Sequence, residues 1–267
     1  MFIQKLRKVM WNEKYLVVLL GLTLFCELQI VAKMWNWSRG NTLLYVFSAF
    51  ENCIMMDLAS SNLKFTYMVA GVGACIASCG TVYSEDVAAG GDGMLLCRQS
   101  KTMYHMENLI VSWIASFSMA IVPLGLNLAA SLVCYPLEGM DNIYGNPAFA
   151  YLEICNPSRP LTMLHGLHPG RYVLLLIVML GLATAAFSLL CYGLSVATGW
   201  NGYACCVASV LAYLGAGLAP YRLGYPWLSI LSYISGDDFG NVKIFMALIF
   251  LETAMACALT MAGARKS

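Results

Sequence analysis

An all-α integral membrane fold is what this sequence predicts: a single domain over residues 1–267, with six transmembrane helices, an amphipathic N-terminal helix and a cytoplasmic loop of distinctive composition after the second span. Three observations predict it. Of the 267 residues, 60% are apolar. Only 11% are Asp, Glu, Lys or Arg, against roughly 25% in soluble domains. Six separate stretches are apolar over the roughly 20 residues that a helix needs to cross a hydrocarbon core. A soluble chain of this composition would expose large apolar patches, whereas a bilayer favours apolar side chains on the outside of every helix.

The segment Met1–Lys14 sets Phe2, Ile3, Leu6, Val9, Met10 and Trp11 against Lys5, Arg7 and Lys8. It is expected to lie along the inner surface with its cations toward lipid headgroups. The first span is expected at about 15–34, too long for a signal-peptide core and without a small-residue cleavage site after it. The others are expected at about 65–83, 109–133, 172–194, 203–220 and 243–262, with loops between them. Small residues recur inside the spans, as in Gly71, Gly73, Ala74, Ala77 and Gly80, and close helix contact in lipid depends on such residues. With the amino terminus inside, Lys5, Arg7, Lys8, Lys14, Arg98, Lys101, Arg265 and Lys266 are cytoplasmic, and the remaining seven of 15 Lys and Arg lie outside. The four cations before the first span decide this orientation. A multi-pass protein of the cell (plasma or inner) membrane with both termini cytoplasmic is the resulting expectation.

Several function classes are disfavoured. A net charge of +1, with no basic run beyond Lys5, Arg7 and Lys8, offers no surface for nucleic acid. Without G-x-x-x-x-G-K-[ST] the chain has no phosphate-cradling loop of its own, and Gly90-Gly91-Asp92-Gly93 reads as a flexible turn. The three histidines, His105, His165 and His168, read as loop residues, the first on the opposite side from the other two, so no metal site is expected. Among eleven cysteines, Cys26, Cys75, Cys79, Cys191 and Cys257 lie in apolar stretches as small hydrophobes. Cys53, Cys134 and Cys155 are placed toward an oxidising exterior, and Cys134 with Cys155 is a candidate disulfide.

Two acids, Glu27 and Glu252, fall inside spans, where a central charge costs about 2.5–3.5 kcal/mol on insertion scales. They are candidates for lining a polar translocation path; the other reading is a protonated acid hydrogen-bonded between helices. The loop 84–101 changes character within a short length. Glu85 and Asp86 suit the start of a helix, glycines permit a reversal, and Met94-Leu95-Leu96 forms an apolar knob followed by Arg98 and Lys101.

In these features the chain resembles the membrane permease subunits of type-2 ABC exporters. Asp86, Gly90, Leu95-Leu96, Arg98 and Ser100-Lys101 follow the order in which members carry an acid, a glycine, a Leu-rich turn and a small or basic residue before the third span. The basic segment Met1–Lys14 and the long loop Tyr221–Asn241, with its short apolar pieces, match as well. Gly90-Gly91 replaces the usual Gly-Thr, the basic part lacks the frequent Pro, Glu107-Asn108 stands where a Lys often opens the third span, and the 135–171 loop is longer. The resemblance implies two permease copies, identical or paralogous, that form a path between them. A separate ATP-binding subunit would hold ATP and Mg, so the chain itself is no enzyme. Glu85, Asp86, Gly90, Met94, Leu95, Leu96 and Arg98 would form the loop that couples to it, and the cargo would be a peptide, drug or other hydrophobic or amphipathic molecule. Competing readings are an ion-coupled secondary transporter using Glu27 and Glu252, a membrane enzyme built on Ser195, and a non-transporting immunity or assembly protein.

Overall fold

The computed structural model describes residues 2–38, 45–57, 60–88, 90, 100–141, 160–235 and 241–266. Six helices in it are long and apolar enough to cross a membrane. An N-terminal helix, Phe2–Met10, precedes them. The first span is Glu13–Ser38, the third Lys101–Cys134, the fourth Pro169–Thr198, the fifth Gly202–Arg222 and the sixth Val242–Lys266. The second, Ser61–Ala88, is assembled from shorter helices. Successive spans alternate in direction. The N-terminal helix therefore meets the start of the third span at the same end of the bundle where Gly263 abuts Val196. This end is the base; the other is the far end.

The fourth span occupies the centre. In its most apolar stretch 78% of residues are buried, against 22–28% in the first, fifth and sixth spans. Apolar area alone does not drive helices together in lipid, so close backbone approach has to do so. At Gly193 a Cβ would lie 2.7 Å from the carbonyl oxygen of Ala256, which fixes the contact of the fourth and sixth spans. Several hydroxyls inside the bundle donate to main-chain carbonyls, across helices or within one. Ser112 donates to the Cys79 carbonyl at 2.7 Å, and Thr184 to that of Leu180 at 2.7 Å.

The second span departs from a regular helix. Its α-helical start, Ser61–Thr66, widens into a π turn at Tyr67–Gly71, continues as Val72–Cys79, and resumes as Val82–Ala88 after a turn at Gly80 and Thr81. π turns leave carbonyls poorly served within the helix. Here Tyr213 of the fifth span donates to the Met68 carbonyl at 2.9 Å, while Tyr67 donates to Ala120 of the third span at 2.8 Å. The widened turn is thus tied to both neighbours.

Three expectations are corrected. The third helix begins at Lys101 rather than near 109, capped by the Ser100 hydroxyl, and so takes in His105, Glu107 and Asn108. Polar residues that find partners inside the protein lower mean hydropathy without ending a helix. Part of the segment read as a loop between the first two spans is interior: Ser48–Asp57 is buried throughout except for Phe50. It carries the short helix Ala49–Asn52, started by a reciprocal Ser48–Glu51 capping box. The segment before the sixth span likewise contains a short buried helix, Ile230–Ser235. In addition, Tyr45–Val46 pairs antiparallel with Met140–Asp141, and Pro160–Leu167 is helical.

The glycine contact yields a prediction. Gly193→Ala lowers the thermal midpoint of the detergent-solubilised protein by an amount equivalent to about 1–3 kcal/mol. Gly215→Ala, where nothing lies within 4 Å of an added Cβ, leaves it unchanged. Equal midpoints for the two variants would remove Gly193 as a packing determinant.

Candidate functional site

At the base, the N-terminal helix is held by ion pairs. Lys5 Nζ lies 2.9 Å from Glu107 Oε2, and Lys8 Nζ lies 3.1 Å from Asp86 Oδ1. Lys14, at the start of the first span, reaches Glu85 Oε1 at 2.7 Å. Their weights differ. The Lys5 and Glu107 side chains are each only 13% exposed, so separating them strands a charge away from water. Lys8 is 75% exposed, and its pair contributes at most about 1 kcal/mol. The Lys5 ammonium also sits 4.5 Å from the centre of the Tyr104 ring. Lys5 and Lys8 therefore face carboxylates of the bundle rather than lipid headgroups alone, because three acids at the base lie within reach. Arg7 is exposed.

These acids include two residues assigned to the loop after the second span. Glu85 and Asp86 lie on Val82–Ala88, with Glu85 in its first turn. Thr81 donates to Glu85 at 2.9 Å, and the Tyr104 hydroxyl donates to Asp86 Oδ2 at 3.1 Å. Two carboxylates at the root of the loop are thus held by the N-terminal helix, the first span and the third. Gly90 adopts φ +66°, the left-handed conformation that glycine takes without strain, just beyond this helix. Met94, Leu95, Leu96 and Arg98 lie outside the described residues.

A half-open cavity of about 510 Å³ adjoins the loop root. Lys14, Thr81 and Glu85 line one side, and Ser195, Trp200 and Asn201, around the turn between the fourth and fifth spans, line the other. Below it is a packed aromatic group. His105, buried in the third span rather than in a loop, places Nδ1 3.0 Å from the Tyr192 hydroxyl, with the Tyr83 and Tyr104 rings against its own. His165, also helical, stacks on Tyr172 with ring centres 4.8 Å apart, and His168 precedes the fourth span at the far end. His165 and His168 thus lie at the opposite end of the fourth span from Ser195. Among the described residues no three His, Cys, Asp or Glu side chains gather as a metal centre requires.

The far end holds a network that hydropathy did not reveal. Lys33 Nζ lies 2.7 Å from Asp57 Oδ1, and Gln29 donates to Asp57 Oδ2 at 2.8 Å. Gln29 also donates to the Asn52 carbonyl, and Lys33 to the Asn52 side chain, each at 2.8 Å. Asn127 of the third span accepts from the Ile54 amide at 2.9 Å and donates to the Cys26 carbonyl at 2.8 Å. The folded-back segment is clamped between the first and third spans. Two sequence signals point to it: Ser48-x-x-Glu51 is a capping-box pattern, and Gln29 and Lys33 fall one turn apart on a largely apolar helix. Burial there pushes the Cys53 thiol up to about 11. Cys134 is exposed, while its candidate partner Cys155 lies outside the described residues.

Glu27 and Glu252 are both partly buried, and one Glu252 carboxyl oxygen is buried without a hydrogen-bond partner among the described residues. The first span packs mainly on the third and also on the second, and the sixth packs mainly on the fourth with a smaller contact to the third. Neither acid lines the cavity at the base or the cleft at the far end.

Comparison with known proteins adds no relative: no family model, no curated protein and no solved structure matches the chain.

The Lys5–Glu107 pair is tested by charge exchange. Lys5→Glu, which sets two carboxylates together, destabilises the purified protein by about 3 kcal/mol. Adding Glu107→Lys recovers most of that loss in a thermal melt. A double variant as unstable as the single one would show that the pair does not hold the helix.

Proposed function

We propose that the chain is the permease subunit of an ATP-driven exporter of the type-2 ABC class, forming half of a translocation path and docking a separate ATPase subunit at its base. One observation carries this reading. The root of the loop after the second span is held on several sides, with Glu85 bound by Lys14 and Thr81 and Asp86 by Lys8 and Tyr104. A loop that leaves a rigid root transmits a push to the bundle, whereas one leaving a flexible hinge absorbs it. Met94, Leu95 and Leu96 would supply the apolar contact to the ATPase and Arg98 a charge-assisted one, as the resemblance implies. ATP and Mg would be held by that partner.

The filled centre of the bundle supports a path between copies rather than through one. The fourth span occupies the axis with Leu180, Ala183 and Phe187 buried at 1% exposure or less, and a half-open cavity sits at each end. A second copy, identical or paralogous, would supply the other wall. The cargo is a peptide, drug or other hydrophobic or amphipathic molecule. In this reading the base and both termini are cytoplasmic, in the plasma or inner membrane. An ion-coupled transporter needs Glu27 and Glu252 on one aqueous route, and the packing of the first span mainly on the third and of the sixth mainly on the fourth speaks against that arrangement.

The test is purification from native membranes, followed by vesicle transport. The chain is expected to retain a subunit that hydrolyses ATP, and cargo uptake into inverted vesicles is expected to need ATP. Leu95→Asp, which inserts normally, is expected to reduce retention of that subunit at least about tenfold, equivalent to 1.4 kcal/mol. Unchanged ATPase retention and transport in Leu95→Asp would exclude the loop as the dock. Transport that runs without ATP, driven by an ion gradient, would overturn the reading.

A further inference from the structure

The far end carries a half-open cleft of about 490 Å³ between the start of the second span, the end of the fifth and the short helix Ile230–Ser235. Its volume falls within the roughly 300–1,000 Å³ of small-molecule sites. The floor is polar and rigid. Asp57 and Ser232 are each 4% exposed, and Ser229 is 1% exposed. Asp57 is fixed by Lys33 and Gln29. The Ser229 hydroxyl is engaged, donating to the Gly217 carbonyl and accepting from the Ser232 amide at 3.2 Å.

The Ser232 hydroxyl is different. Ser232 lines the cleft, and its hydroxyl is buried with no hydrogen-bond partner among the described residues. Buried polar atoms are nearly always satisfied, so an orphan at the floor of a cavity points to a ligand that completes it. Ser61, Asn62 and Lys64 add further polar groups around it, with the Lys64 ammonium donating to the Ser235 carbonyl. One carboxylate and one ammonium line the space, so charge selects neither an anion nor a cation. A mixed set of donors and acceptors suits hydroxyl groups, each of which does both. The mouth is apolar: Phe65, Leu218 and Tyr221 are 56%, 49% and 55% exposed, on segments that lie within the second and fifth spans.

We propose that this cleft binds the uncharged, hydroxyl-rich headgroup of an amphiphile, a sugar or glycerol head on Ser232, Ser61 and Asn62, with its hydrocarbon tail leaving between Phe65 and Leu218 into the bilayer. The same chemistry is offered by a membrane glycolipid and by a free alkyl glycoside. The site is at the opposite end from the proposed ATPase dock and holds whether or not that dock exists.

The experiment uses the full chain in phosphatidylcholine nanodiscs. Binding of diglucosyl diacylglycerol is followed by native mass spectrometry, and binding of octyl glucoside by titration calorimetry. Dodecyl phosphate and dodecyltrimethylammonium serve as charged comparisons. At least one glycoside is expected to bind saturably, about tenfold or more tighter than either charged amphiphile. Which of the two binds identifies the source. Leu218→Trp, which fills the mouth from a half-exposed position, is expected to abolish binding. Ser232→Ala is expected to weaken it about tenfold while leaving the unliganded thermal midpoint undiminished, since the hydroxyl it removes has no partner to lose. Binding of neither glycoside, equal binding by Leu218→Trp, or a preference for a charged amphiphile would overturn the proposal.

Discussion

The constraint on which the rest of the structure depends is the close approach of the fourth span to its neighbours. Lipid solvates an isolated apolar helix as well as a packed one, so this bundle is held by contacts that only small residues allow. Gly193 against the Ala256 carbonyl and Gly263 against the Val196 carbonyl are two such contacts, one on each helix of the pair. Because they draw the sixth span onto the fourth, the axis is filled with side chains, and a cavity is left at each end.

The two ends solve different electrostatic problems. At the far end a chain segment is taken into the interior, and each strong polar group there meets another. Asp57 is matched by Lys33 and Gln29, and Asn127 serves both the Ile54 amide and the Cys26 carbonyl. Removing one member would strand its partner in a medium that penalises an unpaired polar group, so the network specifies one seating of the segment. At the base the pairs are graded by exposure, from the enclosed Lys5–Glu107 contact to the solvated Lys8–Asp86 contact. The enclosed pair anchors the N-terminal helix, and the others orient the end of the second span.

What was legible in the sequence follows from the same physics. The six helices were visible because lipid-facing residues dominate a window of about 20 positions and need no partner to explain them. The start of the third helix was not, since His105, Glu107 and Asn108 are tolerated only through contacts with residues far away in the chain, such as Tyr192 and Lys5. The folding back of Ser48–Asp57 escaped for the same reason: its capping box is local and readable, but its burial depends on Gln29, Lys33 and Asn127 from two other helices. Of the candidate site, Glu85 and Asp86 were marked as part of a functional loop, while Lys8, which holds Asp86, was read as facing headgroups and Lys14, which holds Glu85, only as a cytoplasmic cation. Composition can give a residue a charge but not a partner.

The base of the bundle, with its ion-paired loop root, is the surface that the exporter reading assigns to a cytosolic motor. Sidedness tests this most directly. In intact cells, an impermeant maleimide applied after mild reduction is predicted to label native Cys134, exposed at the far end. It is predicted to leave Ser100→Cys, at the exposed cap of the third span, untouched in a background carrying Cys134→Ser and Cys155→Ser until the membrane is permeabilised. Labelling of Ser100→Cys from outside, with Cys134 protected, would put the base on the wrong side of the membrane and contradict the account.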